Sequence, residues 1–154
     1  MRSSLMNLIE QINSQEYLYL TEIGEPAVNV LRLVVEEAKA SSETRDIVVG
    51  ETIISGAKPI VSDGSCHKYE IIFGSYIAYS VRNESYTVWD DKEQFTGGLF
   101  RRYSQSRFLE FVSGATIASE DYPGTFIHYG LVCQDQIIDI ASVDQPEIQI
   151  LGRA

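Results

Sequence analysis

The spacing of apolar positions changes near residue 47, from helical to extended. Leu5, Leu8, Ile9 and Ile12 fall at i, i+3, i+4 and i+7, one face of a helix. Ser3 or Ser4 is placed to cap its start by accepting from a free first-turn amide. After Gly24-Glu25-Pro26, the residues Val30, Leu31, Val34, Val35 and Ala38 make a second apolar stripe, with Arg32, Glu36, Glu37 and Lys39 directed away from it. Proline suits a first helical turn, where its missing N–H has no intrahelical partner. These spacings predict two N-terminal helices. Residues 17–20 read as a strand or as part of the turn into the second helix, and residues 40–46 as a polar connection.

From Ile47 onward, short β-branched runs (47–49, 52–54 and 59–61) are separated by Gly50, Gly56 and Gly64. Residues 68–82 predict a hairpin on Gly74-Ser75, since a type II′ turn needs glycine at its first central position. In that hairpin Phe73 faces Tyr76 and Ile72 faces Ile77, so both faces near the turn are apolar. Ser104 is the expected N-cap of a helix carrying Phe108, Leu109, Phe111 and Val112 and closed by Gly114. Tyr122-Pro123-Gly124 predicts a turn. Residues 125–133 and 136–142 predict a second antiparallel hairpin, and 147–151 a last strand. Segregated helices and strands favour an α+β fold over a doubly wound one. We expect a single domain over residues 1–154: N-terminal helices packed on a mainly antiparallel sheet, with one further helix near residues 104–113.

Composition narrows the function. The 154 residues carry 22 Asp and Glu against 12 Lys and Arg, a formal charge of −10. That charge opposes phosphate neutralisation and docking on anionic lipid, so neither nucleic acid nor membrane is an expected partner. No apolar run approaches the ~20 residues of a bilayer span, and polar residues interrupt the N-terminal apolar positions where a signal peptide needs a continuous run. Two cysteines are too few for a disulfide scaffold. We expect a cytoplasmic protein with free thiols.

Four groups of residues carry candidate chemistry. Cys66, His67, His128 and Cys133 are zinc-compatible types, but adjacent side chains on an extended chain point to opposite faces, and no Cys-x-x-Cys or His-x3-His pair is present. No metal or cofactor is expected. His128 and Asp139 fall in successive strands, where an Asp can fix the imidazole tautomer for a nucleophile. The segment Pro123-Gly124-Thr125-Phe126-Ile127-His128-Tyr129-Gly130-Leu131, followed by Ile137-Ile138-Asp139, resembles the His-bearing hairpin of papain-like hydrolases of the NlpC/P60 and lecithin-retinol-acyltransferase type. The resemblance implies acyl-transfer chemistry by a nucleophilic cysteine that opens a helix. The helix after Ser104 contains no cysteine, so the set available is His128, Asp139 and Cys66.

The third group is acidic. Residues 1–46 hold eight acids against four bases and residues 119–154 six against one, while Arg101, Arg102 and Arg107 make residues 94–118 locally basic. Within the intervening segment, Glu84, Asp90, Asp91 and Glu93 surround Tyr86 and Trp89, aromatic residue types that dominate binding hot spots. The fourth group is the arginine island itself, which sits where a helix N-terminus could bind an anion or where it pairs with the chain's own carboxylates. The expectation that needs no missing nucleophile is a small acidic binding protein of the immunity or inhibitor kind, blocking a basic partner such as a nuclease toxin of bacterial origin. A small hydrolase or acyltransferase and an oligomer-forming domain with tyrosines at its interface are the alternatives, so an enzyme is the less expected outcome.

Overall fold

A computed structural model describes residues 2–153. In chain order, helix α1 (Arg2–Asn13) precedes strands β1 (Tyr17–Ala27), β2 (Val30–Ala40), β3 (Arg45–Val49), β4 (Thr52–Ala57), β5 (Ile60–Val61), β6 (His67–Phe73) and β7 (Tyr76–Asn83). Strands β8 (Gln94–Thr96) and β9 (Phe100–Gln105), helix α2 (Arg107–Ala115) and strands β10 (Ile127–Val132), β11 (Gln136–Ser142) and β12 (Glu147–Arg153) follow. One antiparallel sheet has the order β1-β2-β6-β12, with β5 on β2; a second has the order β7-β11-β10-β9-β8. Strands β3 and β4 pair only with each other. The fold is therefore α+β and mainly antiparallel.

The expected second helix is a strand. Val30 to Ala40 pairs with β1 on one side and β6 on the other. Leu31, Leu33 and Val35 enter the main core, while Val34 and Ala38 are buried on the opposite face. A strand covered on both faces is a near-continuous apolar run, and such a run contains the helical i, i+3, i+4 spacing by accident. Three of its apolar residues are valine, which suits a pleated sheet better than a helix. Of the expected N-terminal helices only α1 is present, and it begins at Arg2, so Ser3 and Ser4 lie within it instead of capping it.

The expected hairpin over 68–82 is also corrected. Strands β6 and β7 form, but they do not pair: Phe73 lies opposite Leu31 in the first sheet and Tyr76 opposite Ser142 in the second. Gly74-Ser75 is the corner where the chain changes sheets, and Gly74 is not among the glycines with positive φ. The apolar character of both faces here reflects burial in a two-sheet structure. The hairpin of β10 with β11 and the last strand β12 stand as expected.

The two sheets pack face to face over one core. Leu31, Leu33, Val35, Tyr69, Ile71 and Phe73 from the first meet Phe100, Tyr129, Leu131, Ile138 and Ile140 from the second. The rings of Phe73 and Tyr129 are 5.3 Å apart and tilted by 56°, within the favourable range for aromatic pairs. Ile12 of α1 joins that core. The next residue fixes the helix in place: Asn13 Oδ1 accepts from the amides of Gly98, Leu99 and Phe100 at 3.1, 2.9 and 2.7 Å, and its Nδ2 donates to the Phe100 carbonyl at 3.0 Å. Gly97, with φ 89°, makes this turn possible, because a Cβ there would stand 2.3 Å from the Phe100 carbonyl oxygen.

Candidate functional site

Alternation along β10 and β11 turns Tyr129, Leu131, Ile138 and Ile140 to the core, and His128, Gly130 and Asp139 to the other face of the second sheet. Helix α2 and the ring of Tyr103 cover that face. Tyr103 lies opposite His128 in the ladder and stacks on it, with centroids 4.2 Å apart and planes 11° from parallel. Gly130 makes room for this: a Cβ there would come within 2.8 Å of the Tyr103 ring. Phe108 of α2 packs on the imidazole at 4.8 Å.

His128 is thus buried, and both its nitrogens are engaged. Nε2 lies 2.7 Å from Asp139 Oδ1, and Nδ1 lies 2.7 Å from Ser106 Oγ. Ser106 is the N-cap of α2, with its Oγ accepting from the Leu109 amide at 3.0 Å. Asp139 meets Arg82 across the strand at 3.3 Å. One proton arrangement satisfies every atom: Ser106 O–H donates to Nδ1, and Nε2–H donates to the carboxylate. A cavity of about 250 Å³ reaches this group from outside, lined by Arg82, Tyr86, Val88 and Phe108 as well as His128 and Asp139. Ser106 instead lines a neighbouring cavity of about 110 Å³ together with Asp90 and Glu93.

The segment between β7 and β8 forms the rim of the larger cavity, and it is tied down along its length. A single 3-10 turn, Glu84–Tyr86, is capped by Asn83, whose Oδ1 accepts from the Ser85 amide at 2.9 Å. The Glu84 amide donates to the Asp135 carbonyl at 3.0 Å. Asp90 accepts from the Lys92 amide at 3.0 Å and pairs with Arg107 Nε at 2.9 Å. Glu93 accepts from the Arg107 amide at 3.0 Å, filling one of the free N–H groups of α2. Between these ties, Tyr86 is 84% exposed, Val88 73% and Trp89 51%.

The candidate residues distribute accordingly. His128 and Asp139 are in contact. Cys66 is not with them: it lies just before β6 in the other sheet and contacts Asp63. The four zinc-compatible side chains are dispersed, with His67 on Glu37 and His128 on Ser106 and Asp139. Cys66 and Cys133 are free thiols, and burial pushes the Cys133 thiol up to about 12. Of the four acids around Tyr86 and Trp89, Asp90 and Glu93 are spent on α2, while Asp91 is exposed and Glu84 half-buried. Arg107 belongs to that internal pairing. Arg101 lies over the rings of Phe95 and Trp89, at 4.0 and 5.2 Å from their centroids.

Ser106 is the residue that sequence reasoning passed over. Ser104 and Ser106 both precede the apolar residues of the helix, and Ser104 falls in β9. Phe108 directly follows Arg107, so Ser106 stands immediately before the helical run, a signal that favours it as cap. The chain matches no protein-family model, no curated protein and no solved structure. Among the described residues no helix is long and apolar enough to cross a membrane.

Trp89 is the chain's single tryptophan, so its fluorescence reports on this loop. The amide of Lys92 and then Arg107 hold the Asp90 carboxyl below its ordinary value of 3.8. A depressed carboxylate gives its full tie above that value, and the tie is lost as pH falls below it through the lowered one. Trp89 emission is therefore expected to change on acidification below about pH 4, before the far-UV dichroism of the sheets. Asp90→Asn is expected to produce the same emission at neutral pH. Coincident transitions, or an Asp90→Asn variant with native emission, would show that these ties do not hold the loop.

Proposed function

We propose that the protein is an acidic binding protein of the immunity or inhibitor kind, acting in the cytoplasm by covering the basic surface of a toxin-like partner. The observation that carries this reading is the fixed loop between β7 and β8. Exposed aromatic and aliphatic side chains on a mobile loop lose entropy on binding, whereas here internal hydrogen bonds already hold the segment. Tyr86, Val88 and Trp89 are its apolar contacts, and Glu84 and Asp91 its free acids. The −10 charge adds steering toward a cationic partner, an advantage that salt removes. Carboxylates set beside aromatic anchors suit a groove built to hold phosphates, which a nuclease must have.

Affinity capture from the source cell tests this, with the native chain and a Tyr86→Ala/Trp89→Ala variant as baits at low and physiological salt. A basic protein is expected on the native bait, more weakly at the higher salt, and at least about 100-fold less on the variant, the loss of two hot-spot residues. Equal retention by the variant would refute the surface, and the absence of any basic partner would refute the class.

One observation favours a second reading, a small hydrolase or acyltransferase: the continuous Ser106–His128–Asp139 chain. In that chemistry the Ser106 oxygen attacks an acyl carbonyl as its proton passes to His128 Nδ1, and Asp139 stabilises the imidazolium. The same proton then leaves on the displaced group, and water or an acceptor releases the acyl group. Set against it are the burial of Ser106, the bond from the Leu109 amide that its Oγ already accepts, and the engagement of the next amide in the chain, that of Arg107, by Glu93, which removes it as an oxyanion donor. We expect the native chain to cleave p-nitrophenyl acetate no faster than a Ser106→Ala variant. A native rate well above that variant's would place the hydrolase first.

A further inference from the structure

Within the arginine island of residues 101–107, Arg107 is engaged by Asp90 and Glu93. Arg101 has a different setting. Alternation along β9 puts it on the face that carries Tyr103, next to the turn that Asn13 holds. Its Nε–H donates to the Gly98 carbonyl at 2.7 Å, and its Nη1 donates to the Tyr103 hydroxyl at 3.3 Å. The guanidinium carbon then stands 4.0 Å from the centre of the Phe95 ring and 5.2 Å from that of Trp89. Both lie within the ~6 Å reach of a cation–π contact. Hydrogen bonds do not orient the indole itself. Among the described residues, the side-chain bonds of its loop go to Asn83, Thr87, Asp90 and Glu93 and not to the ring, which is 51% exposed.

We infer that Arg101 is the positioning residue for Trp89, its guanidinium holding the indole in the orientation that a partner meets. The inference rests on the reading of the β7–β8 loop as the recognition surface, and it names the residue that sets the geometry of that surface's largest side chain. Charge does not account for Arg101 at this place, because a cation there works against the attraction of a basic partner. Packing does. A planar guanidinium presents its flat face to aromatic rings while its edge N–H groups bind a carbonyl and a hydroxyl, which a lysine ammonium cannot do together. An indole that turns freely loses that freedom on binding, and one already held does not. The hold also reaches back through the fold. Asn13 of α1 accepts from the Gly98 amide, so the N-terminal helix fixes the turn whose carbonyl aims Arg101. On the other side Tyr103 stacks on His128. The exposed indole is thereby joined to the buried imidazole by a route separate from α2.

Time-resolved fluorescence anisotropy of Trp89, the single tryptophan, tests this without a partner. In the native chain the indole is expected to tumble with the whole protein. Arg101→Lys keeps the charge but not the planar fork, and is expected to raise the amplitude of fast local motion at least about twofold, on the picosecond-to-nanosecond scale of side chains. Phe95→Leu removes the ring beneath the guanidinium and is expected to act in the same direction. Far-UV dichroism should stay native in both variants. An indole already mobile in the native chain, or native anisotropy in Arg101→Lys, overturns the inference. Used as baits, Arg101→Lys and Arg101→Ala are expected to retain about tenfold less of the basic partner than the native chain, the loss of one cation–π contact. A role through charge alone predicts the opposite for Arg101→Ala, so stronger or equal capture by that variant also overturns the inference. Failure of the native chain to capture any basic protein would refute the loop reading, while the anisotropy still decides whether Arg101 holds the indole.

Discussion

Burial of the β10–β11 hairpin on both faces is the constraint on which the candidate site depends. The inner face supplies Tyr129, Leu131, Ile138 and Ile140 to the core between the sheets. The outer face carries His128 and Asp139, polar groups that are costly to bury without partners. Ser106 and Arg82 supply those partners, and each choice fixes something larger. Ser106 sets where α2 begins, and α2 presents the Arg107 amide and guanidinium that hold Glu93 and Asp90. The exposed loop is positioned by this sequence of contacts, so a buried imidazole and a surface aromatic patch belong to one structural unit.

The same contacts bear on both proposed readings of the site. A catalytic serine needs an open approach to its oxygen and free donors beside it. Here the serine oxygen caps the helix, and the nearby Arg107 amide carries Glu93. The hydrogen-bonded chain supports α2 and the loop, and in the proposed reading that loop is the recognition surface. The acid in this region is divided: Asp90 and Glu93 are bonded to Arg107 of α2, while Asp91 is exposed and Glu84 half-buried, the two that the proposed reading offers to a partner.

Much of this order was legible from residue spacing. The β10–β11 hairpin, strand β12 and helices α1 and α2 follow from their apolar periods and punctuation, and the adjacency of two strands was enough to bring His128 toward Asp139. Val30–Ala40 misled because a strand buried on both faces loses its alternation, leaving a helical stripe visible within it. Gly74-Ser75 misled because a glycine corner between sheets and a hairpin turn use the same residues. Ser106 was hidden by Ser104, two residues earlier, although Ser106 is the serine that stands immediately before the helical run. That Asp90 and Glu93 face inward to α2 was not readable at all, since it depends on a helix terminus 14 to 17 residues away in the chain.

The most direct test of the closed site is the protonation pattern of the His128 ring, read by long-range ¹H–¹⁵N NMR. A ring that bridges Ser106 and Asp139 within the protein is predicted to be the neutral Nε2–H tautomer, with a slowly exchanging Nε2 proton. An Nδ1–H tautomer, or an Nε2 proton that exchanges as fast as in a free imidazole, would contradict it.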